Sequence, residues 1–276
     1  FSCSHLTFGQ IVRTGPRQQA DFFFHRKRIH MGRITSIQYA RMANRVYNLK
    51  QGAETEDYSV ENFETRRFSE GMNWGATNTD FKGCVYVSRE LQEVVVAFQG
   101  TVPQKGGDLL ADLQIGIGSL VGMLPQYSSA ALRLFKRTGE AYPDHSISLV
   151  GHSLGGGLAQ LIGHWTGAPF VSFNAPGMWN AIQTAKVAFL WSPGDAINSI
   201  KGTFKNSLFA KQKVETGRNF RNVLDPVSAW GSHYGPVTRF WGKGLHSMDD
   251  LEMRIDSSKW RNVNPLDPAC REWGEL

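Results

Sequence analysis

Apolar and polar positions along this chain alternate between two periods. In residues 34–49, Ile34, Ile37, Ala40, Met42 or Ala43, Val46 and Tyr47 recur at three- and four-residue steps. That spacing predicts an amphipathic helix with Thr35 or Ser36 as its cap. The polar stretch 51–62 reads as a loop. Residues 81–87 and 94–98 are short, β-branched apolar runs separated by Arg89-Glu90-Leu91-Gln92-Glu93, and they predict two adjacent strands joined by a turn. Helical spacing returns at 126–138, a buried strand follows at 147–150, and Gly155 to His164 is a glycine-rich helical run. Further on come a short strand at 170–173, a mixed apolar segment at 178–190, a strand at 214–223 and a closing helix at 248–255. This alternation predicts a mostly parallel central sheet with helices on both faces. Residues 34–276 read as one α/β domain, preceded by an arm at 1–33.

In folds of this class, chemistry gathers at the carboxyl ends of strands. The segment Val150-Gly151-His152-Ser153-Leu154-Gly155-Gly156 lies at such a point. A strand enters a tight turn with serine at its apex, and a helix leaves it. This is the G-x-S-x-G nucleophile elbow in the setting that gives the motif meaning. The glycines leave room for a strained turn, and the helix start aims free N–H groups at developing negative charge.

A serine hydroxyl needs a neighbouring base, usually a histidine held by a carboxylate. Downstream of Ser153, two acids stand at strand-to-loop positions. Asp225 follows an alternating run and precedes Pro226, while Asp195 lies in Ser192-Pro193-Gly194-Asp195. Two histidines compete as base: His246, in a loop just before a helix, and His233. Asp225 and His246 are preferred, with Asp195 and His233 as alternatives. His152 adjoins the serine but points elsewhere in such a turn. Acyl transfer also requires oxyanion donors. The backbone N–H of Leu154 is one, and Thr101, just past the strand 94–98, offers an N–H and a hydroxyl.

Composition narrows the setting. The chain has 276 residues, is 41% hydrophobic and carries a net charge of +6, with a pI of about 9.3. That balance favours anionic partners such as acidic membrane surfaces or nucleic acid. Three cysteines, Cys3, Cys84 and Cys270, allow one disulfide at most and show no metal-binding spacing, so neither metal nor cofactor is expected. No signal-peptide pattern and no uncharged membrane-spanning run is visible. In the arm, Phe22-Phe23-Phe24 adjoins His25-Arg26-Lys27-Arg28, a patch able to touch a membrane or a phosphate backbone.

Four segments together resemble the class 3, or fungal-lipase-like, α/β-hydrolases. They are the helix 37–47, the strand Val95-Val96-Ala97-Phe98-Gln99-Gly100-Thr101, the acidic stretch Asp108-Leu109-Leu110-Ala111-Asp112-Leu113 and the elbow itself. The chain departs from the family in having Gln99 where arginine is usual. Asn222-Val223-Leu224-Asp225-Pro226 is similar to the family's acid motif, but it follows the serine at a longer interval than usual, which keeps Asp195 in contention. The resemblance implies hydrolysis of lipid carboxylic esters, glyceride or phospholipid, through an acyl-enzyme formed on Ser153. It also implies a lipid or membrane partner. Residues 116–124 and 178–190, with Trp179 and Trp191, would serve as an acyl groove or lid, or else as ordinary core helix. The Asn174-Ala175-Pro176-Gly177 variant resembles bacterial members, some of which are lipase effectors delivered by type VI secretion. That would place the protein at a target-cell membrane or periplasm, with an inhibitory immunity protein as partner. The rival expectations are a non-lipid esterase, thioesterase or peptidase on the same fold, and a non-catalytic nucleic-acid binder using the basic arm.

Overall fold

The computed structural model describes residues 34–48, 64–66, 81–100, 127–180, 182, 217–270 and 273–274. The arm at 1–33, the segments 101–126 and 183–216, and hence Thr101, Asp195 and most of the expected groove, lie outside the described residues.

Helix α1, Ser36–Arg45, starts at Thr35 through a capping box. The Thr35 hydroxyl accepts from Gln38 N–H at 3.4 Å, and the Gln38 side chain accepts from Thr35 N–H at 2.9 Å. A single 3-10 turn, Val46–Asn48, continues it. Strands β1 (Glu64–Arg66), β2 (Gly83–Ser88) and β3 (Glu93–Phe98) form an antiparallel run. Helix α2 spans 127–141. Then come β4 (Ser146–His152), α3 (Leu154–Thr166), β5 (Phe170–Phe173), β6 (Gly217–Asn222), the short α4 (Pro226–Ala229), β7 (Val237–Phe240) and α5 (Met248–Asp256). The strands form one sheet in chain order, and β3 through β7 pair in parallel.

The sheet is buried on both faces, which explains why β3 reads as an unbroken Val-Val-Val-Ala-Phe run. Alternate residues serve opposite cores. Val94, Val96, Phe98, Leu149 and Phe170 join Ala131 and Leu134 of α2 and Leu158 and Ile162 of α3. Val95, Ala97, Val150, Phe173 and Phe220 join Ile37 and Ala40 of α1, Leu251 and Ile255 of α5, and Trp260. Helices therefore cover both faces, as the alternation predicts. On the second face α1 lies against α5, where Asn44 donates to Asp249 and Glu252 at 2.8 and 2.9 Å and Arg41 pairs with Glu252 at 3.5 Å.

The pairing register aligns the carboxyl ends of the parallel strands. Phe98 pairs with Gly151, His152 with Phe173, Phe173 with Phe220, and Asn222 with Phe240. The loops carrying Gly100, Ser153, Asn174, Asp225 and Trp241 thus leave one edge of the sheet.

Two strands were not foreseen, β1 and β7. The latter has Pro236 in front, an exposed Arg239 and only four residues, too few to show a period. At the far side of β7, Arg239 N–H donates to Gly274 C=O at 2.8 Å and the Thr238 hydroxyl donates to Trp273 C=O at 3.0 Å. Arg218 of β6 is buried among C-terminal groups, donating to Cys270 C=O at 2.6 Å, Pro265 C=O at 3.3 Å and the Thr238 hydroxyl at 3.3 Å. Its guanidinium lies 5.1 Å from the centre of the Trp260 ring. Cys84 and Cys270 are buried free thiols.

Trp260 is fully buried against Phe220, Trp273 and Arg218. Trp260→Ala should therefore destabilise the domain by about 3–5 kcal/mol. Urea unfolding followed by circular dichroism measures this as a shift in midpoint at unchanged slope.

Candidate active site

The elbow is built by close backbone approach. A Cβ on Gly151 would run into the Gly155 carbonyl group, and one on Gly155 into the Phe98 carbonyl oxygen. No larger residue allows α3 to start so near β3 and β4. Ser153 takes φ 57° and ψ −129°, a strained conformation for a side-chain-bearing residue. Such strain costs about 1–3 kcal/mol and persists only where the surroundings enforce it. Here Ser153 N–H donates to Phe173 C=O at 3.0 Å, and Ser153 C=O accepts from Gly157 N–H at 3.1 Å. Leu154 opens α3, so its N–H belongs to the helix turn that has no carbonyl behind it.

Asp225 is fully buried at the N-cap of α4, with Pro226 at the first helical position. Its two carboxylate oxygens accept from Val227 N–H at 3.0 Å and Ser228 N–H at 3.2 Å. Asn222 braces the preceding turn by donating to Gly242 C=O at 3.0 Å and accepting from Leu224 N–H at 3.1 Å. His246 lies one residue before Ser247, the N-cap of α5. Its Nδ1–H donates to Asp225 Oδ2 at 2.9 Å, and its Nε2 accepts from the Ser153 hydroxyl at 2.8 Å. This tautomer follows from the partners, since a carboxylate can only accept.

Ser153, His246 and Asp225 therefore meet, although 93 and 21 residues separate the bonded pairs. The structure does not bring His233 to the serine. Its Nε2–H donates to Ala175 C=O at 3.0 Å, and burial pulls its pKa below the ordinary value. Gly100 comes up against the serine, such that a Cβ there would lie 3.0 Å from Ser153 Cβ. Of the expected groove, Met178 and Ile182 are buried, and Trp179 stacks on Tyr234 with ring centres 5.9 Å apart.

His152 is buried and turned away from the nucleophile. Ser148, Val150 and His152 share the face of β4 that looks towards α1, as the two-residue period requires. Burial, and then the neighbouring His246, hold the His152 pKa well below its usual value. Asn222 and Tyr47 were not singled out from sequence as site residues. The only signals they gave were an Asn beside a candidate acid and a tyrosine at the end of an apolar stripe.

A mostly parallel sheet in this strand order, with the serine elbow at its centre, is the α/β-hydrolase fold. The chain belongs to the family described as Tle-like phospholipase domain, whose sequence model matches residues 38–193. Over 52 residues it is 54% identical to ATG15 of Candida glabrata, a protein named as a lipase, a match covering 19% of this chain and 10% of that one. Over 104 residues it is 46% identical to ATG15 of Candida albicans, covering 37% and 15%. The matched stretches thus span well under two thirds of those relatives. Among solved structures, Lip2 lipase from Yarrowia lipolytica superposes with a TM-score of 0.45 at 15% identity, covering 93% of both chains.

The two depressed histidine pKa values set a pH dependence. Both His152 and His233 titrate lower in the folded state than in the unfolded chain. Below about pH 6.5 the unfolded chain binds more protons, so stability is lost as pH falls. Unfolding free energy should decline from pH 6.5 to 5.5, and the decline should be shallower in His152→Gln; denaturant titration at each pH measures both.

Proposed function

We propose that this protein is a serine hydrolase that cleaves acyl ester bonds of lipids through an acyl-enzyme. The observation that carries this is the continuous line from the Ser153 hydroxyl through His246 to the buried Asp225, with bonds of 2.8 and 2.9 Å. As Ser153 Oγ attacks the ester carbonyl, its proton passes to His246 Nε2. Asp225, fixed by two helix N–H groups, steadies the imidazolium that forms. The developing oxyanion sits beside the Leu154 N–H, and Thr101 is assigned the second donor. Collapse of the tetrahedral species expels the alcohol, which takes the proton back from His246. Water then repeats the sequence on the acyl-enzyme and releases the fatty acid. This chemistry requires no metal or organic cofactor.

A lipid substrate is supported by the surface around the acid and the base. Leu224 precedes Asp225, Trp230 follows the helix that Asp225 caps, and Leu245 precedes His246. All three are exposed, as is Trp241 just past β7, at 65%. Apolar and aromatic side chains at the rim of a site, on a chain of net charge +6, suit an anionic bilayer surface. The family description and the relatives' names point the same way. Glyceride and phospholipid both remain within this proposal.

Hydrolysis of phosphatidylglycerol vesicles and of triglyceride emulsions, wild type beside Ser153→Ala, tests the proposal. Ser153→Ala should lose at least about 1,000-fold in kcat. Retained activity in Ser153→Ala overturns the serine mechanism, and turnover of short soluble esters alone would instead mark a non-lipid esterase. Trp241→Ala should lower the fraction bound to anionic vesicles several-fold while leaving soluble-ester turnover unchanged, measured by vesicle sedimentation.

A further inference from the structure

We propose that His152 and Tyr47 are positioning residues that lock the loop of the catalytic base to the end of the strand that precedes the oxyanion donor. This inference rests on the serine-hydrolase reading above. His152 Nε2 lies 3.0 Å from the backbone carbonyl oxygen of His246, and its Nδ1 lies 3.0 Å from the Tyr47 hydroxyl. A carbonyl only accepts, so Nε2 carries the ring proton. Nδ1 is then left as an acceptor, and the Tyr47 O–H donates to it as the nearer of two acceptors, the His152 C=O lying at 3.3 Å. The Tyr47 oxygen in turn accepts from Gly100 N–H at 3.2 Å. Every member is satisfied in one direction, from Gly100 N–H through the Tyr47 hydroxyl and the His152 ring to the His246 carbonyl.

This chain joins four segments remote in sequence: the end of β3, the turn after α1, the elbow and the loop before α5. The His246 imidazole uses both nitrogens on Ser153 and Asp225, so its backbone must be held by something else. Asn222 anchors that loop at Gly242, and His152 anchors it at His246 itself. The two imidazole ring centres lie 4.8 Å apart, with planes inclined by 40°, so His152 also limits the swing of the base. Burial keeps His152 neutral, which preserves Nδ1 as an acceptor. At the far end, Gln99 donates to Tyr47 C=O at 3.4 Å, so the residue that replaces the family's usual arginine also braces Tyr47. An error of about 1 Å in the placement of a catalytic group can cost about 100-fold in rate.

The test uses the full chain and a soluble p-nitrophenyl ester, with active sites titrated by a fluorophosphonate so that kcat is expressed per competent Ser153. His152→Phe keeps an aromatic ring but neither hydrogen bond, and its kcat should fall about 10- to 100-fold. KM should stay within about twofold. His152→Gln, whose amide N–H can reach the same carbonyl, should recover most of the loss. Tyr47→Phe should lose at least about fivefold, and the double variant Tyr47→Phe/His152→Phe should be no worse than His152→Phe, because the groups act as one unit. A purely structural role would lower the titratable fraction and leave kcat per site unchanged. The proposal is overturned if kcat per site in Tyr47→Phe stays within twofold of wild type, or if His152→Gln is as slow as His152→Phe. Should His152→Phe not fold, the Tyr47→Phe and His152→Gln results still decide the matter. Failure of the underlying hydrolase reading has a different signature, namely undiminished turnover in Ser153→Ala.

Discussion

Two stretches of main chain pass each other at the elbow with no space for a methyl group between them. Gly155 sits against the Phe98 carbonyl and Gly151 against Gly155. Because the backbones touch, α3 begins directly over the ends of β3 and β4, and Ser153 is forced into its positive-φ conformation. The strain is borne by the pairing on either side. The β4–β5 register places Phe173 so that its carbonyl receives the Ser153 N–H. Removing the contact would cost more than fold stability, since the serine oxygen would no longer be presented to His246.

The two faces of the sheet have different work. The face covered by α2 and α3 is mostly aliphatic and aromatic packing, with Gln160 and the Ser172–Asn219 pair as buried polar groups. The face covered by α1 and α5 carries Tyr39 bonded to Ser148, Arg218 among carbonyls, and His152 with Tyr47. A half-satisfied polar network in such a place is worse than an apolar core. Here the His152 members are satisfied in sequence, and they tie the base loop to rigid elements. The loop before α5 is thereby held at both Gly242 and His246, whereas the acid depends on the capped start of α4.

Much of the architecture could be read from residue patterns because the relevant forces are local. The near-continuous apolar runs of β2 and β3 follow from burial on two faces, and the elbow glycines are adjacent in sequence to the turn they permit. Thr35 as cap and the limits of β5 were likewise within reach. β7 was missed since four residues, one an exposed arginine, show no period. Local pattern favours Asp225 and His246 but does not bring them together, because what joins them to Ser153 is proximity in space. His246 is preferred in sequence for its place in a loop just before a helix, and the bond to Ala175 shows that His233 is engaged elsewhere. The part played by His152 was hidden for the same reason, as its partners come from positions 47 and 246.

The last described residues lie along the outer side of β7, where Gly274 and Trp273 receive bonds from Arg239 and Thr238. A parallel sheet that stopped at β7 would present an unfilled ladder to any passing chain, and such edges template aggregation. Residues 273–274 cover that border, and the Arg218 guanidinium at Cys270 fastens this segment inward. Trimming residues 270–274 would thus strip a buried cation of an acceptor and uncover a sticky margin in the same stroke. Self-association in shortened versions would trace to that margin and not to the hydrolytic centre.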